Sequence, residues 1–189
     1  RHSTARPEEP VRFYALVAGP AAPLLSEDFE SGPGGWTAVV NDPSGNTQWE
    51  LGTPAGSTGP LMGADESVNA WCTNIGDYGT GSDISLRSPA INLNGVGGAQ
   101  LIFDAFRDAD GFGDTAVVRF LQAADQVQLG TDSPLGMSSF DSDYVRQSIA
   151  VPAEALGKEI VVEFNFVSDD TADAFSGLTI DNVAVEVTN

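Results

Sequence analysis

Residues 159–167, EIVVEFNFV, set Ile160, Val162, Phe164 and Phe166 on one face of an extended chain and Glu159, Glu163 and Asn165 on the other. A period of two belongs to a strand in a sheet packed on one side. A helix would need apolar positions recurring every three to four residues, and no stretch from Leu24 onward sustains that spacing. Short β-branched and aromatic runs alternate instead with clusters of Gly, Asn, Asp, Ser and Pro. These runs predict strands over 24–30, 36–40, 47–51, 69–73, 84–86, 99–106, 114–121, 126–130, 145–150, 159–167 and 178–187. AEALGK (153–158) has the composition for one helical turn closed by Gly157 and no more. Many short strands separated by turns fold as two antiparallel sheets packed face to face, so the expected fold is an all-β sandwich of the jelly-roll type.

The last strand breaks its own alternation. In LTIDNVAVEV (178–187), Leu178 and Ile180 share one parity, while Val183, Val185 and Val187 share the other. All five face inward only if one residue is inserted near Asp181 and Asn182. That is the mark of a β-bulge, a device that re-aims side chains at metal and functional sites. Asp181 is therefore a candidate ligand.

The 189 residues suffice for one mid-sized domain with a tail. Residues 1–23 read as an N-terminal tail, or as the remnant of a preceding domain with its linker, and 24–189 as the sandwich. VRFYALVA (11–18) is a strand candidate, either at the edge of this domain or ending a neighbouring one. A start of RHSTARPEEP, without Met, is expected of a piece cut from a longer precursor.

Charge narrows the partners. There are 27 acidic residues against 8 basic ones, a formal net charge of −19. Nucleic acid is a poor partner, because its binding rests on neutralising phosphates with Lys and Arg. An anionic membrane surface is disfavoured on the same ground, and no apolar run reaches the roughly 18 residues of a membrane span. Such a surface suits a soluble protein in a saline or calcium-containing medium. Cys72 is the single cysteine, so no intrachain disulfide forms, and it reads as a small buried hydrophobe. The single histidine, His2, lies in the tail, which leaves no Ser-His-Asp or Cys-His site within the domain. No H-E-x-x-H, G-x-S-x-G or phosphate loop is present, and no carboxylate cluster on a strand marks a glycosidase pair. The expectation is a protein without catalysis.

RDADGFGD (107–114) is the most conspicuous acidic motif. Placing Asp108 first in an EF-hand puts Phe112 where the third acid belongs and Arg119 where the bidentate Glu belongs. The other register starts at Phe106 and ends at Val117, and fails as well. A hairpin turn between LIFDAF and TAVVRF remains the preferred interpretation, with Asp108, Asp110 and Asp114 as a looser second metal loop. Aromatic side chains in loop-like segments could stack on sugar rings, and Phe112, Tyr144, Trp71 and Tyr78 are the candidate ligand contacts. For Trp36, Trp49 and Trp71 core packing is the stronger alternative.

Several marks then occur in one order: EDFESGPGGW (27–36), WELGTP (49–54), NAWCTNIGDY (69–78), LRSPAINL (86–93), LIFDAF (101–106), VVEFNFVSDD (161–170) and LTIDNVAVEV (178–187). Together they resemble the MAM-like and cleaved-adhesin, or choice-of-anchor J, jelly rolls of secreted bacterial proteins, over about 24–187. The resemblance implies a non-catalytic module of a larger secreted or cell-surface protein, monomeric as an isolated domain. Such a module binds a glycan or an extracellular protein, or serves as an accessory domain of a peptidase. It also implies a structural calcium where the first strand meets the last. Carried onto this chain, the ligands would be Glu30 of DFE and Asp181 of IDN, with Asp28, Asn182 and Asp169 as further candidates. Asn182 stands where those families carry a second carboxylate.

Overall fold

The computed structural model describes residues 22–171 and 174–188, so the strand candidate at 11–18 lies outside the described residues. Among the described residues, twelve strands run in chain order: β1 (Leu25–Glu27), β2 (Thr37–Val40), β3 (Trp49–Gly52), β4 (Ala70–Thr73), β5 (Asp83–Arg87), β6 (Ile91–Asn92), β7 (Ala99–Asp108), β8 (Thr115–Gln122), β9 (Gln128–Pro134), β10 (Val145–Ala150), β11 (Glu159–Val167) and β12 (Gly177–Val187). One short 3-10 turn, Ala64–Glu66, interrupts the connection from β3 to β4. The first sheet has the order β10-β7-β12-β4-β3, with β1 also on β12; the second has the order β2-β5-β11-β8-β9, with β6 on β11. The fold is the expected antiparallel two-sheet sandwich.

β11 shows why the alternation matters. Its inward residues Ile160, Val162, Phe164 and Phe166 are wholly buried. Phe164 meets Phe103 of the facing sheet edge-on at 4.9 Å and stacks on Trp36 at 6.0 Å. Trp36, Trp49 and Trp71 all belong to this core. On the other face of β11, register places Glu163 between Arg87 and Arg119 of the neighbouring strands. The guanidinium groups approach its carboxylate at 2.7 and 3.2 Å, which explains how an acid 3% exposed is tolerated there.

The bulge lies where the parity of the last strand puts it. Pairing of β12 with β7 passes from Asp181 opposite Asp104 to Ala184 opposite Ile102, one residue out of step. Asn182 takes up the extra residue at φ +49°, and Ile180 and Val183 are both buried inward.

Two expectations are corrected. Segment 107–114 is not a hairpin turn: β7 pairs with β10 and β12 in the first sheet, whereas β8 pairs with β9 and β11 in the second. The Asp- and Gly-rich stretch instead arches from one sheet to the other. Residues 153–158 form successive tight turns, with Ala155 N–H donating to the Pro152 carbonyl and Lys158 N–H to that of Ala155. Gly157, at φ +75°, ends them before a helix forms.

Phe164→Ala removes the ring that joins both sheets, and should cost about 3–5 kcal/mol, read as a lower urea midpoint at unchanged slope. A loss below about 1 kcal/mol would place the core contact elsewhere.

Candidate functional site

The outer face of the first sheet carries an unusual row of polar groups. Register sets Arg146 of β10 beside Asp104 of β7, and Asp104 beside Asp181 of β12. Arg146 grips Asp104 with two hydrogen bonds, Nε to Oδ1 at 3.0 Å and Nη2 to Oδ2 at 2.9 Å. Asn182, turned outward by the bulge, donates its side-chain amide to the same carboxylate at 3.0 Å. Next along β7, Phe106 meets the ring of Tyr144 edge-on at 5.7 Å. The Tyr144 hydroxyl donates to the Met62 carbonyl at 2.9 Å, across to the loop that precedes β4. Burial, followed by nearby negative charge including that of Asp181 and Asp104, pushes this phenol well above its usual range, so it remains a neutral donor. Between the 59–66 loop and the 142–146 segment lies a groove of about 630 Å³ with Asp104, Phe106, Tyr144 and Arg146 among its lining residues.

The 59–69 wall is held from beneath by two acids. Asp181 Oδ2 accepts from the Ala64 N–H and the Ser67 hydroxyl, both at 2.8 Å. Glu30 Oε1 accepts from the N–H groups of Val68 at 3.1 Å and Asn69 at 2.6 Å. Gly63 is required here, since a Cβ would lie 2.0 Å from Ser67 Oγ and 2.7 Å from Asp181 Oδ2. The turn is strained: Asp65 and Glu66 sit at φ +53° and +64°. A left-handed non-glycine residue costs about 1–2 kcal/mol, and the paired acids below hold the turn against that cost.

Asp181 is wholly buried, and burial weakens its acidity, with the negative charge of Asp104 acting in the same direction. Bonds from Ser67, Asn182 and Ala64 oppose the shift. Every one of these partners is neutral. A buried carboxylate whose partners are all neutral suits calcium in kind. It does not suit it in number: no group of three or more His, Cys, Asp or Glu converges among the described residues. Asp28 accepts the Glu30 N–H, and the Asn182 amide is turned to Asp104. Asp169 lies elsewhere, its N–H donating to Asp114.

The arch at 107–114 uses its acids internally. Asp108 accepts from the Thr58 hydroxyl and from the Ser176 N–H and hydroxyl. Asp110 Oδ1 accepts from the N–H groups of Phe112 and Gly113. Asp114 accepts from the Tyr78 hydroxyl and the Asp169 N–H. Two of the four aromatic candidates are corrected: Trp71 and Tyr78 are buried in the core, Tyr78 against Phe166 at 5.2 Å, and cannot reach a ligand. Phe112 is fully exposed at the tip of the arch, and Tyr144 lines the groove. A faint sign of the missed residues was present, because Asp104 interrupts the apolar run LIFDAF and Arg146 is one of only 8 basic residues.

No family model matches the chain. It is 31% identical over 162 residues to Bacillopeptidase F of Bacillus subtilis (strain 168), a match that takes in 84% of this chain. The chain spans only 10% of that protein's length. Among solved structures it is similar to the K3 cleaved adhesin domain of Lys-gingipain from Porphyromonas gingivalis W83, with a TM-score of 0.57 and 19% identity, over 87% of this chain and 99% of that one. It is also similar to the family 11 carbohydrate-binding module of Lic26A-Cel5E from Clostridium thermocellum, with a TM-score of 0.52 and 11% identity, over 92% and 97%. The enzymatically active domain of tailspike protein 4 of bacteriophage CBA120 matches at a TM-score of 0.55 and 16% identity, over 85% of this chain and 20% of that one. At these identities the structural likenesses establish a shared β-sandwich fold.

Beneath the same loop, burial pushes the Cys72 thiol up to about 12, so almost no thiolate exists at neutral pH. Cys72 should resist a thiol-specific reagent at pH 8 in the native protein and react once in denaturant. Rapid native labelling would show that Cys72 is not closed off from solvent in the folded protein.

Proposed function

We propose that the chain is a non-catalytic binding module of a larger exported or cell-surface protein, and that the groove between the 59–66 loop and Tyr144 takes a glycan chain. The groove itself carries this reading. It has the aromatic side chain of Tyr144 at one wall, a bidentate Arg146–Asp104 pair at its floor, and exposed Leu61 and Met62 beside Asp65 and Glu66 along the other wall. Such a mixture offers sugar rings an apolar face and their hydroxyls fixed partners. The sandwich shared with a cleaved adhesin domain and a carbohydrate-binding module supports the same class of function. Asp104 is tied to Arg146 and Asn182, so it is an orienting group and a poor free acid for hydrolysis.

A second reading rests on the likeness to Bacillopeptidase F: an accessory domain of a peptidase, with no ligand of its own. Retention on a panel of immobilised polysaccharides separates the two. The module should be held by at least one, and Tyr144→Ala should weaken that binding about tenfold, equivalent to about 1.4 kcal/mol. Tyr144→Phe keeps the ring and should bind nearly as well. Retention on none of them would favour the accessory domain, and release of reducing ends would make the module a hydrolase.

Calcium belongs to this proposal as a structural ion that would compete with the N–H and hydroxyl donors now on Glu30 and Asp181, with those two as its carboxylate ligands and carbonyl oxygens completing the set. It would neutralise the buried Asp181 and brace the groove wall. Calcium at a hundredfold excess over Kd should stabilise the protein by about 2.7 kcal/mol relative to chelator, and Asp181→Asn should remove that increment. An unchanged Tm in the wild-type protein would retire the metal site.

A further inference from the structure

We propose that Asp65 and Glu66 set the charge specificity of the groove, admitting neutral and amino-bearing glycans and rejecting those that carry uronate or sulfate. This rests on the assignment of the groove as a glycan site. Its lining includes Asp65, Glu66, Asp104 and Asp143 against one cation, Arg146. That cation is held by both oxygens of Asp104, which offsets its charge. An anionic sugar would therefore enter a groove whose remaining charges are all carboxylates, well within a Debye length of about 8 Å at physiological salt.

The backbone fixes where those carboxylates stand. Asp65 and Glu66 are consecutive left-handed residues in the Ala64–Glu66 turn, exposed on its groove side. Asp181 holds the turn at Ala64 and Ser67, and Glu30 holds the chain just after it. The two carboxylates carried on this turn are hydrogen-bond acceptors at the groove. Sugar hydroxyls and ammonium groups donate to such acceptors, whereas carboxylate and sulfate groups have no proton to give and are repelled.

The test uses probes with matched backbones: hydroxyethyl-cellulose against carboxymethyl-cellulose, and chitin oligomers against chitosan oligomers. At low salt the wild-type module should bind the neutral cellulose ether about three- to tenfold more tightly than the carboxymethylated one, with the gap closing in 0.5 M salt, as expected for exposed charges. Chitosan oligomers should bind at least as well as chitin oligomers. The double variant Asp65→Asn, Glu66→Gln keeps the side-chain shapes, and asparagine tolerates the left-handed backbone. It should bring carboxymethyl-cellulose to within about twofold of the neutral ether, read as the ratio of the two affinities for the same variant, as the lost charge repulsion requires. Equal wild-type affinity for the neutral and anionic ethers, or a gap that survives the double variant, overturns the charge specificity and leaves the glycan groove standing. Binding to none of the four probes or to any other polysaccharide overturns the groove assignment, and the specificity with it.

Discussion

The site depends on one buried carboxylate in an irregular strand. Strict alternation along β12 would send Val183 outward; the bulge inserts Asn182 and returns Val183 to the core while Asp181 keeps its outward place. The two neighbouring residues then play different parts, Asp181 by its ordinary parity and Asn182 by the insertion. Asp181 becomes an acceptor for the Ala64 N–H and the Ser67 hydroxyl, so the loop over β4 is fastened to the sheet. Asn182 swings toward Asp104 and completes the polar floor on which Arg146 rests. The outward Asp181 thus fastens the wall, and the residue inserted beside it completes the floor of the groove.

Rigid support of this kind is what a binding site on a sandwich needs. Weak contacts to sugars leave little free energy to order loops on binding, so affinity favours a surface ordered beforehand. Each part here is anchored to the sheet: Tyr144 reaches the Met62 carbonyl, Arg146 grips Asp104, and Glu30 holds the amides of Val68 and Asn69. The four described arginines, Arg87, Arg107, Arg119 and Arg146, are all in ion pairs within the domain. The described arginines are therefore committed to the fold, as are the buried acids Asp104, Asp108, Asp114, Glu163 and Asp181.

Much of the sandwich was legible because period-two patterns are local. β10 and β11 have the bounds their alternation suggests, and the bulge follows from the parity of five residues in one strand. The groove was not legible for the opposite reason. Arg146 and Asp104 lie 42 residues apart, and Tyr144 and Met62 lie 82 apart, so their contacts follow from strand order and register that no short window contains. Trp71 and Tyr78 misled because an aromatic beside Asn and Gly looks loop-borne, although Trp71 faces inward beside Ile180 and Tyr78 packs on Phe166. β6, only two residues long, carries no periodic signal at all.

The arch at 107–114 shows what many of the carboxylates do. A chain leaving one sheet for the other gives up its ladder, and its N–H groups need new acceptors. Asp108 takes the N–H of Ser176, Asp110 those of Phe112 and Gly113, and Asp114 that of Asp169. Glu30 and Asp181 do the same for the loop before β4, and Asp77 does so for Ser57. A carboxylate is a strong acceptor for such groups, because a charged partner makes the hydrogen bond shorter and stronger. The acidity of the chain is therefore partly structural: aspartates stand where the sandwich must turn without a ladder. Composition alone cannot separate this role from metal binding, since both place Asp beside Gly in loops, and only the direction of the N–H groups tells them apart. By that criterion the carboxylates of the arch are committed to the backbone. Asp65 and Glu66 differ, because they stand on a strained turn held from below by other acids and face the groove.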